Sequence, residues 1–175
     1  MNTNLKLTMN NSWHEEKEIA RNTQKTAIFM MGSGGSGKSY WLKNSMFSHL
    51  PVVNPDDFLP NPSIPTEGRA IAKAAANAKM LALVLSEQSF VRDTTGTNVA
   101  RMVGEFEMVR EAGYMIVLIK VEASLATCLA RNQRRARTIP EDVLIADHEA
   151  AENAWQALRG TADVAYSVDN NGSKK

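Results

Sequence analysis

Thr26-Ala27-Ile28-Phe29-Met30-Met31-Gly32-Ser33-Gly34-Gly35-Ser36-Gly37-Lys38-Ser39 is the stretch on which the fold turns. Ala27 to Met31 form a short continuous apolar run without polar alternation, which suits a strand buried on both faces of a parallel sheet. The run ends in glycines, and a helix is expected to begin near Gly37. Gly32 to Ser39 fits G-x-x-x-x-G-K-[ST] in full, in the strand-loop-helix setting that the motif requires. Glycines serve here because the loop must curl tightly enough for consecutive backbone N–H groups to point inward at an anion. The helix N-terminus adds partial positive charge.

On this reading Gly32, Ser33, Gly34, Gly35, Ser36 and Gly37 cradle the phosphates of ATP or another nucleoside triphosphate. Lys38 reaches the β- and γ-phosphates, and the Ser39 hydroxyl ligates Mg²⁺. A flexible Gly/Ser turn is the bland alternative, but it gives no reason for Lys-Ser after a buried strand. A dinucleotide-binding oxidoreductase is the sharper rival. Gly32, Gly34 and Gly37 satisfy G-x-G-x-x-G, and Asp56 and Asp57 fall about where such a fold places its ribose acid. That site uses its third glycine for close helix packing and has no role for the Lys38-Ser39 pair.

Further along, short apolar runs alternate with helical patterns. Strands are expected at 51–53, 89–92, 114–121 and 164–168, and helices at 67–88, 98–111, 124–135 and 140–159, with Gly113 ending the one at 98–111. The 67–88 segment is the longest helix signal, and 55–65 reads as a proline-rich loop. This order implies βαβ crossovers: an α/β three-layer sandwich with about five mainly parallel strands and helices on both faces. Residues 26–170 form the domain. Residues 1–25 read as a polar tail or accessory helix with a capping box of Ser12 and Glu15, and 171–175 as a polar tail.

Composition narrows the function classes. With 43% hydrophobic residues over 175 positions, the chain has enough apolar matter for one core. The 20 Lys+Arg against 19 Asp+Glu leave net +1, so any nucleic-acid or other charged partner must be met by a local patch. One cysteine, Cys128, excludes an internal disulfide, reads as a buried thiol, and points to the cytoplasm. No apolar run approaches the roughly 18 residues needed to span a bilayer, and no membrane partner is expected.

Three clusters could complete a site around the loop. Asp56 and Asp57 follow the second strand at its C-terminal end, where α/β folds bind ligands. A carboxylate there can orient an acceptor hydroxyl and accept its proton, although both could simply form a turn. Asp93 ends the third strand and could hold Mg²⁺, directly or through water, or orient the acceptor; its alternative is a helix N-cap. Arg131, Arg134, Arg135 and Arg137 lie within seven positions. Such crowded cations either form a solvated face or surround an anion, and the Pro140 break nearby favours a lid over the triphosphate.

In motif order from Thr26 to Asn170 the chain resembles the polynucleotide-kinase and zeta-toxin group of P-loop kinases. Asn54-Pro55-Asp56-Asp57-Phe58 looks like that group's catalytic-acid segment, and Arg92-Asp93-Thr94-Thr95 like its Asp-Thr segment. Leu129 to Leu144 is similar to the polynucleotide-kinase lid, and Tyr166 to Asn170 to the ending of the last strand. The resemblance implies Asp56 as general base, Arg131 and Arg135 facing the phosphates, and γ-phosphoryl transfer to a hydroxyl. The acceptor would be a nucleic-acid 5′-hydroxyl, a modified base, a nucleotide sugar or another small molecule. A nucleotide-binding ATPase or switch without an acceptor is the alternative. The group usually carries an arginine shortly after its catalytic acid to grip the acceptor, and Leu59 stands in that place.

Overall fold

The structure is a computed structural model that describes residues 24–60, 68–135 and 138–172. The expected capping box at Ser12 and Glu15, the second half of the proline-rich loop and Arg137 lie outside these residues.

Five strands form one sheet: β1 (Thr26–Met31), β2 (Val52–Val53), β3 (Phe90–Asp93), β4 (Met115–Glu122) and β5 (Val164–Asp169). Their order is β2-β3-β1-β4-β5, and every neighbouring pair is parallel. The helices are α1 (Lys38–Asn44), α2 (Arg69–Leu85), α3 (Val99–Glu111), α4 (Leu125–Gln133) and α5 (Glu141–Leu158). At 18 residues α5 exceeds α2 by one, so the strongest helix pattern in the sequence does not mark the longest helix.

All six residues of β1 are buried, as a central strand covered on both faces must be. One face carries Phe29, Met31, Phe90, Ile116 and Leu118 against Ala76 and Met80 of α2, Phe106 of α3 and Trp155 of α5. Phe29 and Phe106 meet edge to face at 4.6 Å, the arrangement that aromatic quadrupoles favour. The other face packs Ile28, Met30, Val91, Val117 and Ile119 against Leu42 of α1 and Phe47. α2 contributes Ala72, Ala76, Met80 and Val84, one residue per turn, which is the stripe an amphipathic helix needs.

The sheet order removes the dinucleotide alternative. In the dinucleotide-binding order β2 lies beside β1, whereas here β3 separates them. The acid at the end of the strand next to the glycine loop is therefore Asp93, not Asp56 or Asp57. Asp93 is also no helix cap, because Asn98 caps α3 by accepting from the Arg101 N–H. Residues 55–58 are not irregular loop: Pro55–Phe58 form a 3₁₀ turn whose N-cap is Asn54.

Candidate active site

The glycine loop sits on the C-terminal edge of the sheet, between β1 and α1. Gly35 has φ +81°, and a Cβ there would lie 2.6 Å from the Cys128 carbonyl oxygen. Gly37 has φ +89°, and its Cβ would run into the Asn170 side-chain amide. The glycines are therefore required by protein packed behind the loop as well as by left-handed backbone. Arg131 Nη1 donates to the carbonyls of Gly35 and Ser36 at 3.1 and 3.3 Å, and its Nη2 donates to the Asn170 carbonyl at 2.7 Å. Asn170 Nδ2 donates to the Ser36 carbonyl at 2.9 Å. The Gly32 N–H donates to the Thr95 carbonyl at 3.3 Å and the Ser36 N–H to the Ser33 carbonyl at 3.2 Å, so it is the other N–H groups of the loop that can meet an anion.

Lys38 is half-buried, and Nζ donates to the Gly32 carbonyl at 2.7 Å and to that of Ser33 at 3.4 Å. Burial lowers its pKa and Arg135 lowers it further, against the fields of Asp93, Cys128 and Asp56. Ser39 is exposed in the first turn of α1.

Asp93 is buried in register with Met30 of β1. Its Oδ2 accepts from Asn54 Nδ2 at 3.2 Å, while Oδ1 has no hydrogen-bond partner among the described residues. Burial raises its pKa, Asp56 and Asp57 raise it further, and Lys38 and Arg92 oppose the shift. A buried carboxylate oxygen without a donor costs free energy unless a cation or its water meets it. Together with the Ser39 hydroxyl and the loop's N–H groups, this hard oxygen fits a nucleoside triphosphate carrying Mg²⁺.

Asn54 joins the two acid clusters. Its Oδ1 accepts from the Asp56 N–H at 3.0 Å while its amide holds Asp93. Asp56 and Asp57 are both exposed, and Leu59 is buried. Only Asp56 of the two is among the charges acting on Lys38.

The arginines separate. α4 ends at Gln133 with Arg134 as its C-cap, so Arg131 and Arg135 do not share a helix face. Arg131 is committed to the loop's backbone. Arg135 lies in the bend beyond the helix, with Nη1 3.8 Å from a Cβ built on Gly34, and its charge reaches Lys38. Sequence reasoning gave no role to Asn54, Arg101 or Asp147. The Asn-Pro-Asp-Asp run was a legible signal for the first, since Asn caps its own turn. Arg101 comes from the helix that directly follows β3 and Asp147 from α5, neither with a local cue. Asp147, on α5, is raised by burial and opposed by Lys38 and Arg69.

The family model for the AAA domain matches residues 28–161. The chain belongs to the AAA domain family. No curated protein matches it by sequence, but solved structures do by fold. The AvrRxo1-ORF1:AvrRxo1-ORF2 complex with sulphate ions superposes at TM-score 0.66 and 15% identity, over 89% of this chain and 57% of that one. A chain of the Pnkp1/Rnl/Hen1 RNA repair complex gives 0.64 and 16%, over 79% and 48%. A gluconokinase from Sinorhizobium meliloti gives 0.55 and 18%, over 87% and 86%. This AAA domain thus spans little more than half the first and under half the second. The fold expected from the motif order, that of the P-loop kinases, is the one observed. No helix among the described residues is long and apolar enough to cross a membrane.

Proposed function

We propose that this chain is a kinase that moves the γ-phosphate of ATP onto a hydroxyl acceptor. The observation that carries the proposal is the meeting of Lys38, Asp93 and Asp56 at one sheet edge, with Asn54 bridging the two acids. The loop N–H groups between Ser33 and Ser39, Ser36's excepted, hold the phosphates, and Lys38 exchanges the Gly32 carbonyl for phosphoryl oxygens. Mg²⁺, when bound, neutralises charge on the β- and γ-oxygens, and Ser39 and Asp93 are the residues that would hold it. Asp56, at the mouth and within reach of solvent, aims the acceptor hydroxyl and takes its proton as the oxygen–phosphorus bond forms. Arg135 meets the charge that develops on the transferred group, and Arg131 acts one step back by fixing the loop.

A bystander ATPase would need the same loop but no acid two strands away. The distinguishing experiment is incubation with γ-labelled ATP and separate acceptors: a hydroxyl-ended oligonucleotide, a nucleotide sugar, and gluconate. Label in an acceptor product supports the kinase; label released only as inorganic phosphate overturns it.

A further inference from the structure

Resting on the kinase reading for its catalytic consequence, we propose that Arg92, gripped by Glu105, is a positioning residue for Asp56. It fixes the end of β2 where a strand ladder is too short to do so, and thereby sets where the acid turn stands relative to Asp93. β2 is two residues long and lies at the edge of the sheet, with β3 as its one neighbour and Val53 paired with Arg92. The acid turn starts at the next residue, Asn54, whose side chain accepts from the Asp56 N–H and donates to Asp93 Oδ2. A shift of the Val53 carbonyl is therefore passed on to the spacing of both acids.

Two cations hold this strand end by its consecutive carbonyls. Lys79 Nζ, from α2, donates to the Val52 carbonyl at 2.7 Å. Arg92 Nη1 donates to the Val53 carbonyl at 3.5 Å, a long bond that is aimed by the rest of the guanidinium. Its Nη2 donates to Asn77 Oδ1 of α2 at 3.4 Å, and Nε and Nη2 donate to the two Glu105 oxygens of α3 at 3.3 and 3.1 Å. One side chain on β3 thus joins β2, α2 and α3, which the five donors of a planar fork allow and a single ammonium does not. Stability alone does not account for the pair. Arg92 is 1% exposed and Glu105 8%, and desolvation offsets the attraction of such buried charges so far that apolar residues of like volume serve as well or better. What apolar residues cannot supply is direction, a donor held at one carbonyl. Arg92 also opposes the upward shift of the Asp93 pKa, so it acts on one acid by charge and on the other through the backbone.

Two full-length variants test this: Arg92→Lys, which keeps the charge without the fork, and Arg92→Met/Glu105→Leu, which removes the pair and strands no charge. Hydrogen exchange of the Asp56 N–H, followed by NMR against the amides of β1, should quicken roughly tenfold in both variants while β1 keeps its protection. With γ-labelled ATP and an acceptor, kcat should fall roughly tenfold or more while MgATP affinity holds, because the acid is displaced and the phosphate loop is not. The double variant should keep its low kcat even with Tm back at the wild-type value. Wild-type exchange at Asp56 in either folded variant overturns the inference, as does a kcat that recovers together with Tm. If wild type passes label to no acceptor, the kinase reading fails by itself, and the exchange measurement still decides whether Arg92 positions the turn.

Discussion

The two halves of the site are built to different standards. On the β4–β5 side, Arg131 and Asn170 make four hydrogen bonds to main-chain carbonyls of the loop and of the last strand's end. The loop is backed by Cys128 and flanked by Ile139 and Leu144. On the β2–β3 side, a strand of two residues and one 3₁₀ turn carry exposed Asp56 and Asp57, and Asn54 ties the turn to Asp93. Phosphate geometry is common to every nucleotide and rewards a rigid cradle. An acceptor differs between related enzymes, and a short edge strand with exposed side chains is the part that can vary without disturbing the core.

If the rigid half supplies the electrostatics, its loss should be the costliest change. Lys38→Ala should cut transfer at least ~10²-fold with the circular dichroism spectrum unchanged. Turnover at the wild-type rate would break the site assignment altogether.

The sparse half should show a sharp division between its neighbouring acids. Asp56→Asn should lower kcat by ~10²-fold while MgATP still binds, and Asp57→Asn should keep most activity. The reverse pattern in steady-state kinetics would move the general base by one residue.

The two arginines sharpen the comparison within the rigid half. Arg135→Lys should reduce kcat by roughly tenfold with little change in the MgATP dissociation constant, since the planar fork is lost where charge develops. Arg131→Lys should do the opposite: affinity falls by about tenfold as the loop loosens, and kcat moves less. Identical profiles for both would mean that the split between loop anchor and phosphate contact is false.

The smallest effect concerns stability. Burial holds the Asp93 pKa above its unfolded value, so the folded protein pays for the ionised carboxyl at neutral pH. That cost fades as pH falls through the raised folded value toward the unfolded value of about 3.9. Asp93→Asn should therefore raise Tm at pH 7 by ~2–4 °C per kcal/mol relieved, with the gain shrinking in mildly acidic buffer. Its transfer activity should nonetheless collapse. A Tm that falls at pH 7 and recovers in acid contradicts the direction of the shift.

Much of this was legible in advance for a specific reason. β1, β4 and the glycine loop are encoded by contiguous residues, so apolar runs and turn chemistry found them to within a residue or two. β2 could be found but not its consequence, because two residues of strand fix no register. The end of α4 at Gln133 was missed because Asn132 turns inward. Its amide donates to the Ile139 carbonyl and its Oδ1 accepts from the Ile139 N–H, which ties Ile139 back to the helix end and leaves Arg135 outside the helix. The buried Arg92–Glu105 pair was invisible, since 13 positions separate its members on different elements.

The sequence by itself determined that a buried strand ends in a phosphate-binding loop with Lys38 and Ser39 after it, since strand, loop and helix start are local and each residue's chemistry is sufficient there. Only the tertiary structure decided which acid stands beside that loop. The order β2-β3-β1-β4-β5 brings Asp93 next to β1 and sets Asp56 one strand further out. It also turns Arg131 onto backbone. Those outcomes depend on which strand a crossover places beside β1 and on how helices distant in sequence fill the two faces of the sheet, and no local pattern of residues encodes either.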